Sequence, residues 1–285
     1  MATADLRPMT LGEVLDHTFT LYRENFLLFV GIAAVPYLVV LVARFLLLLG
    51  SRGTLKSPNG FSPGMIGGII LGAVGAAAVW LILLGIAQAA TIWAVSELYL
   101  GRPASVRAAY LNSKDRIMTV IVIIILVFLA TVITSGVTFF LLCIPGIYLA
   151  CRLAVSVPVA MVEDASSITS MERSMELTKG HGWQMFLLFL LTFVISWVVS
   201  MFLEFPATIF TVKAALAKHQ PSLGVMAYSY VANFLSQVLV GPIGTISASL
   251  MYYNLRVRKE GFDIQHLMNS LSSVPRPLAD PPGIQ

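Results

Sequence analysis

Ionisable side chains are scarce in this chain, and their placement narrows the chemistry open to it. His17, His181, His219 and His266 are scattered, none beside a second metal ligand at a useful spacing, and no HExxH occurs. A G-x-S-x-G elbow, a P-loop and a GxGxxG turn are also missing. His181 sits in Lys179-Gly180-His181-Gly182-Trp183. There it reads as a turn residue before an apolar run or as a general base, the latter with no activating partner nearby in sequence. Cys143 and Cys151 lack C-x-x-C spacing and lie among apolar residues, as small buried thiols do. These residues provide no catalytic group, no metal ligands and no cofactor site, and they point to a protein that is not an enzyme.

Charge at depth is the other kind of chemistry. Arg44, Arg152 and Glu204 lie within or beside long apolar stretches, toward the half of the layer away from the termini. Glu97, Glu163 and Asp164 lie at the opposite boundary, near Arg116 and Arg173. A charge near the middle of a bilayer costs about 2.5 to 3.5 kcal/mol on insertion scales, so partners are expected. The expected pairs are Arg152 or Arg44 with Glu204, and Glu97 or Glu163 with a boundary arginine. Arg152 and Glu163 share a helical face but stand about 16 Å apart along it, too far to pair. Arg152 then reads in two ways: as the centre of an anion or lipid-headgroup site, or as a structural or snorkelling charge. Near the C-terminus, Arg256, Arg258 and Lys259 form a dense basic step. Such cations at a membrane surface attract anionic lipid by about 1 kcal/mol each.

The elements that must carry these residues follow from composition. Hydrophobic residues make up 58% of the 285-residue chain and charged residues 11%, with mean hydropathy +0.86. Soluble domains carry roughly 25% charged residues, so a water-soluble fold is excluded. The net charge of +4 would suit nucleic acid in a soluble chain. Here the cations sit in short segments between apolar runs, so no nucleic-acid partner is expected.

The pattern predicts an all-α polytopic membrane protein with six transmembrane helices over 26–50, 65–98, 117–142, 147–162, 183–203 and 223–255, each about the length a bilayer requires or longer. Pro36, Pro158 and Pro242 predict kinks, and Gly241-Pro242 an interruption of the last span. Met1 to Asn25 carries Asp5, Glu13, Asp16 and Glu24 with no apolar core, so no cleaved signal is expected. Residues 1–9 read as a tail, 10–268 as the membrane domain, and the Pro-rich 269–285 as a disordered tail.

Placing both termini in the cytoplasm puts twelve Lys and Arg inside, against Arg52, Lys56, Lys213 and Lys218 outside. The expected location is a cell (inner) membrane. Trp183, Tyr99, Tyr252 and Tyr253 are expected as boundary anchors.

A weak threefold repeat runs through the chain. Three short amphipathic segments, Thr10 to Asn25, Pro103 to Arg116 and Ser166 to Lys179, each precede a pair of spans. Leu21, Leu111 and Leu177 hold equivalent places, each with a small residue three earlier, Thr18, Ala108 and Ser174. Thr10 and Glu13 have capping-box spacing. These segments read as interfacial helices at the inner leaflet or as ordinary connectors. Gly64, Gly68, Gly72 and Ala76 recur every four residues, which suits close helix contact, either within the chain or across a homodimer.

Three blocks carry a resemblance. They are Leu11-Gly12-Glu13-Val14-Leu15-Asp16 with Leu21-Tyr22-Arg23-Glu24-Asn25-Phe26; Arg173-Ser174-Met175 with Leu177-Thr178-Lys179-Gly180 and Trp183; and Tyr252 through Asp263, with Asn254 where an Asp is often found. Together they resemble the bacterial glycerophosphoryl diester phosphodiesterase membrane-domain family, over roughly residues 10 to 268. The resemblance implies a multi-span membrane portion with no catalytic residue to carry over. The hydrolase's His-Arg-Gly start and metal-binding acids have no counterpart here. Membrane lipids and a docked protein are the expected partners. A transporter or lipid translocator is the alternative, and an intramembrane hydrolase ranks last.

Overall fold

A computed structural model describes residues 9–50, 63–137, 144–217, 219 and 221–260. Among the described residues the chain is helical, without strands, and six helical segments are long and apolar enough to cross a membrane. The chain thus has the make-up of a multi-pass membrane protein. The ten α-helices fall into three successive units. The first holds α1 (Leu11–Glu24), α2 (Phe26–Gly50) and α3 (Pro63–Tyr99). The second holds α4 (Val106–Ser113), α5 (Ile117–Val137), α6 (Ile144–Arg152) and α7 (Ser156–Val162). The third holds α8 (Ser167–Thr178), α9 (Gly182–Leu216) and α10 (Leu223–Glu260).

Each unit opens with a short capped helix. Thr10 caps α1 in a full capping box: its hydroxyl accepts from the Glu13 N–H at 3.4 Å, and Glu13 Oε2 accepts from the Thr10 N–H at 2.6 Å. Ser105 and Ser166 cap α4 and α8 in the same sense. Pro103 therefore precedes α4 and is not in its first turn. The Leu21, Leu111 and Leu177 equivalence holds only between α1 and α8. Leu177 is 1% exposed while Leu111 is 54% exposed, and α4 turns Ala109 and Ser113 inward instead. With only two turns before a 3-10 step at Lys114–Arg116, α4 can shift its register by one residue.

The long helices depart from the expected spans in two ways. α9 continues to Leu216 rather than 203, and α10 runs unbroken through Pro242 for 38 residues, about 57 Å at 1.5 Å per residue. The real break is in the fourth span. Leu153 to Val155 leave the helix, and the Ser156 N–H turns to the Leu153 carbonyl at 3.1 Å. Pro158 has no N–H, so the Ala154 carbonyl loses its helical donor as well.

The three units close in a ring through their short helices. α1 packs on α9 and α10, α4 on α2 and α3, and α8 on α5, α6 and α7. Each thus leans on the unit before it, cyclically, and each donates a hydroxyl to a carbonyl at or beside a disrupted turn. Pro36 strips the Ile32 carbonyl of its donor, and the Tyr110 hydroxyl of α4 takes that place. The Arg152 carbonyl, freed by the break, accepts from Ser174 Oγ at 2.9 Å and Thr178 Oγ1 at 3.0 Å, both on α8. Tyr22 of α1 donates to the Leu239 carbonyl at 2.7 Å, next to the one that Pro242 leaves open. Burial raises the Tyr22 pKa, because a phenolate there would lose water.

Candidate functional site

The main core sits where the units meet, at the end holding the three short helices. Val14 of α1, Phe29 and Ile32 of α2, Leu177 of α8, Leu188 of α9 and Met251, Tyr252 and Leu255 of α10 are all almost fully buried in it. α10 contributes most: nearly every side chain from Ile246 to Leu255 is buried. This packing fixes a set of charged side chains at its rim.

Glu163, in the cap after α7, is the hub. Its Oε1 accepts from the Tyr252 hydroxyl at 2.9 Å and lies 3.7 Å from Arg256 Nε, and its Oε2 lies 3.4 Å from Arg173 Nε. Arg256 donates to Tyr252 Oη at 3.0 Å and to Glu260 Oε2 at 3.1 Å. Arg173 bridges onward to Glu260 and to Glu176. Two arginines and three carboxylates from α7, α8 and α10 thus form one network around a tyrosine hydroxyl. Beside it Arg116 pairs with Asp164, a non-glycine residue at φ 56°.

The N-terminal segment is clamped at the same end. Asn254, 2% exposed, reads the Met9 peptide as one amide reads another. Its Oδ1 accepts the Met9 N–H at 2.8 Å, and its Nδ2 donates to the Met9 carbonyl at 2.9 Å. Arg258 Nη2 adds a second donor to that carbonyl at 2.6 Å. Tyr253 stacks on Tyr99 with ring centroids 4.7 Å apart and donates to Ser96 Oγ. Tyr252 and Tyr253 are therefore interior ties, not boundary anchors; Trp183, 69% exposed, does face outward.

A cationic cluster borders this network. Lys259 Nζ donates to the Glu176 carbonyl at 2.6 Å and the Lys179 carbonyl at 2.8 Å, closing the C-terminal turn of α8. The positive charges of Arg152, Lys179 and Arg173 bear on it, opposed by the negative charge of Glu176. Arg152 thus belongs to the end that holds the α10 C-terminus, contrary to the expectation that placed it in the far half beside Glu204. The break after Arg152 allows this: α6 stops short, and its last carbonyl is drawn onto α8. Among the described residues no carboxylate lies within salt-bridge reach of Arg152, Lys179 or Lys259.

The remaining expected residues are distributed as follows. Arg44 and Glu204 are brought together, but through an amide. Arg44 Nη1 donates to Asn233 Oδ1 at 2.9 Å, and Asn233 Nδ2 donates to Glu204 Oε1 at 3.2 Å. Glu97 lies 3.8 Å from Arg102 in the turn after α3. Arg256, expected as a membrane-surface cation, is turned inward instead, its side chain 17% exposed, because Glu163 and Glu260 hold it there. Arg258 and Lys259 stay exposed. Among the described residues, a Cβ placed on Gly68 or Gly72 would meet nothing within 4 Å; the surroundings of Gly64 lie outside the described residues. Cys143, His266 and the 269–285 tail also lie outside them, and no metal-ligand cluster occurs among the described residues.

Sequence reading assigned no contact to Asn233, to Asn254 or to the hydroxyls of Tyr110, Ser174 and Thr178. Short polar residues within apolar runs carry a weak signal, although a proline four residues after Ile32 announces a carbonyl in need of a donor. A half-open pocket of about 230 Å³ lies where the fourth-span break faces α10, lined by Gln88, Ala154, Pro158, Phe189, Gly244 and Thr245 among others.

No family model, no curated protein and no solved structure matches this chain.

Proposed function

We propose that this is a non-enzymatic integral membrane protein that gathers anionic lipid on the cytoplasmic leaflet. Its cytoplasmic face is the end built from α1, α4, α8 and the C-terminus of α10. The observation that carries the reading is the cluster of Arg152, Lys179 and Lys259, in which two backbone carbonyls fix the Lys259 ammonium, beside a network in which Arg173 and Arg256 engage Glu163 and Glu260. A fixed cation without a carboxylate partner at a membrane surface attracts lipid phosphate. The excess of Lys and Arg in the segments on that side supports the orientation. The three blocks that resemble the glycerophosphoryl diester phosphodiesterase membrane-domain family converge on this same end: Asn254 meets the segment before α1, and Lys259 meets the α8 C-terminus. That convergence supports membership of that bacterial family as a proposal, without its hydrolytic activity.

The test is lipid enrichment. The chain is reconstituted into vesicles of mixed phosphatidylglycerol and phosphatidylcholine and extracted with its lipid annulus by a solubilising polymer. The annulus should be enriched in phosphatidylglycerol, and the enrichment should fall in high salt, which screens exposed charges. An annulus of bulk composition overturns the reading. Labelling of Lys259→Cys from the exterior face alone overturns the orientation.

A second reading, a lipid or solute translocator, draws on the half-open pocket at the helix break, the kind of place where transporters bind cargo. Flux into proteoliposomes that is lost in Gln88→Leu would favour it, and no flux would remove it.

A further inference from the structure

α6 and α9 diverge beside the cationic cluster and leave an apolar groove of about 420 Å³ open to the side, lined by Ile144, Ile147, Tyr148, Cys151, Trp183 and Phe186. Two aromatic rings, Tyr148 and Trp183, stand exposed along it, and rings with one polar edge favour the headgroup level of a bilayer. The groove ends at Gly182, three residues after Lys179, whose carbonyl holds the Lys259 ammonium. Gly180, at φ 87°, makes the sharp turn that brings α8 and α9 together there. The first N–H groups of α9 add to the positive potential, because His181 gives them no side-chain cap.

A second groove, of about 550 Å³, lies farther along the same helix, lined by Val198, Met201, Phe202, Phe205, Pro206 and Tyr228. It too is mainly apolar, but the charge beside it is the carboxylate of Glu204. Apolar surface alone would suit any acyl chain in either place. Charge separates the two.

We propose that the α6–α9 groove holds one acyl chain of an anionic phospholipid whose phosphate rests on Lys179, Lys259 and Arg152. This rests on the reading of that end as an anionic-lipid surface and narrows it to one site. Lys259 has three N–H donors, two of them held by carbonyls, which leaves one donor and the full charge for a phosphate oxygen.

Native mass spectrometry of the full chain in neutral detergent tests it, with phosphatidylglycerol and phosphatidylcholine as probes and inorganic phosphate as a third arm. Wild type should retain one phosphatidylglycerol in preference to phosphatidylcholine, and phosphate alone should not compete. Ile147→Trp fills the groove at an exposed position without changing charge, and should weaken retention about tenfold. Lys179→Gln with Lys259→Gln should weaken it more than tenfold, at about fivefold per cation, while Phe202→Trp in the second groove should leave it unchanged. Phosphatidylglycerol with brominated chains should quench Trp183, read as the difference between wild type and Trp183→Phe; this readout needs no groove variant to fold. If Ile147→Trp binds as wild type and quenching is absent while the lysine variant loses lipid, the groove is refuted and the surface reading stands. If the lysine variant also binds as wild type, both fall. Competition by phosphate alone, or equal retention of both lipids, overturns the site.

Discussion

The two ends of α10 are held by different means. From Ile246 to Leu255 the helix is buried nearly all round, and its last turn is tied to α7, α8 and the segment before α1 by charged and amide contacts. Toward Leu223 it presents mostly half-buried or exposed residues, and its main polar tie is the chain Arg44–Asn233–Glu204. The knit end concentrates charge at the rim of its core, where Glu163, Arg256 and Glu260 are each less than a quarter exposed, so these three depend on their partners. The loose end spreads apolar side chains such as Phe202 and Leu216 over its surface, where lipid replaces protein at little cost. The denser set of ties is therefore at the end that carries the cations without a carboxylate partner.

The sharpest way to break this comparison is to remove the same charge from each end. Arg256→Met leaves Glu163 without its α10 cation and removes the Arg256 donor from Tyr252 Oη. It should destabilise the protein by about 3 kcal/mol, the low end for breaking a largely buried ion pair because Arg173 still faces Glu163 and Glu260, read as a lower unfolding midpoint in detergent. Arg44→Met should cost less than about 1 kcal/mol, because Asn233 can still bond Glu204. Equal losses at the two ends would remove the distinction. A smaller effect is expected from Asn254→Ala. The Met9 carbonyl keeps Arg258, but its N–H becomes a buried donor without an acceptor, at about 1 to 3 kcal/mol. Hydrogen exchange should accelerate at Met9 and the first turn of α1, with no change in α9.

Gly146 offers a test inside the second unit. A methyl group there would run into the Ser135 side chain on α5. Gly146→Ala should cost about 1 to 3 kcal/mol by overpacking, and adding Ser135→Gly should restore most of it. Failure of the second change to rescue the first would mean that α6 and α5 are not in contact there.

How much of this was legible beforehand depends on the kind of signal. The six spans and three short helices were readable because hydropathy accumulates over some twenty residues and capping residues such as Thr10 with Glu13 act locally. The pairing of Glu163 with boundary arginines was readable from depth alone. The position of Arg152 was not. It depends on a break at Leu153 to Val155, where no glycine occurs and the proline lies three residues further on, so the local pattern reads as continuous helix. The tail-to-α10 clamp was invisible for another reason. Met9 and Asn254 are 245 positions apart, and an amide reading a peptide leaves no composition bias.

The ring of hydroxyl ties gives the smallest and most discriminating test. If Tyr110 stabilises the fold because Pro36 deprives Ile32 of a donor, the two residues must be coupled. Tyr110→Phe in the native background should cost about 0.5 to 1.5 kcal/mol, the value of a hydrogen bond whose acceptor is otherwise unmet. Pro36→Ala returns an N–H to the helix at the right position. In that background Tyr110→Phe should cost a few tenths of a kcal/mol at most, since the carbonyl is satisfied from within α2. A double-mutant cycle in thermal or denaturant unfolding measures the difference directly. Additive effects would mean that Tyr110 acts through packing against α2 alone. The short helix would then be a passenger on the first unit, and the cyclic closure of the three units would have no share in holding the kinked helices in shape.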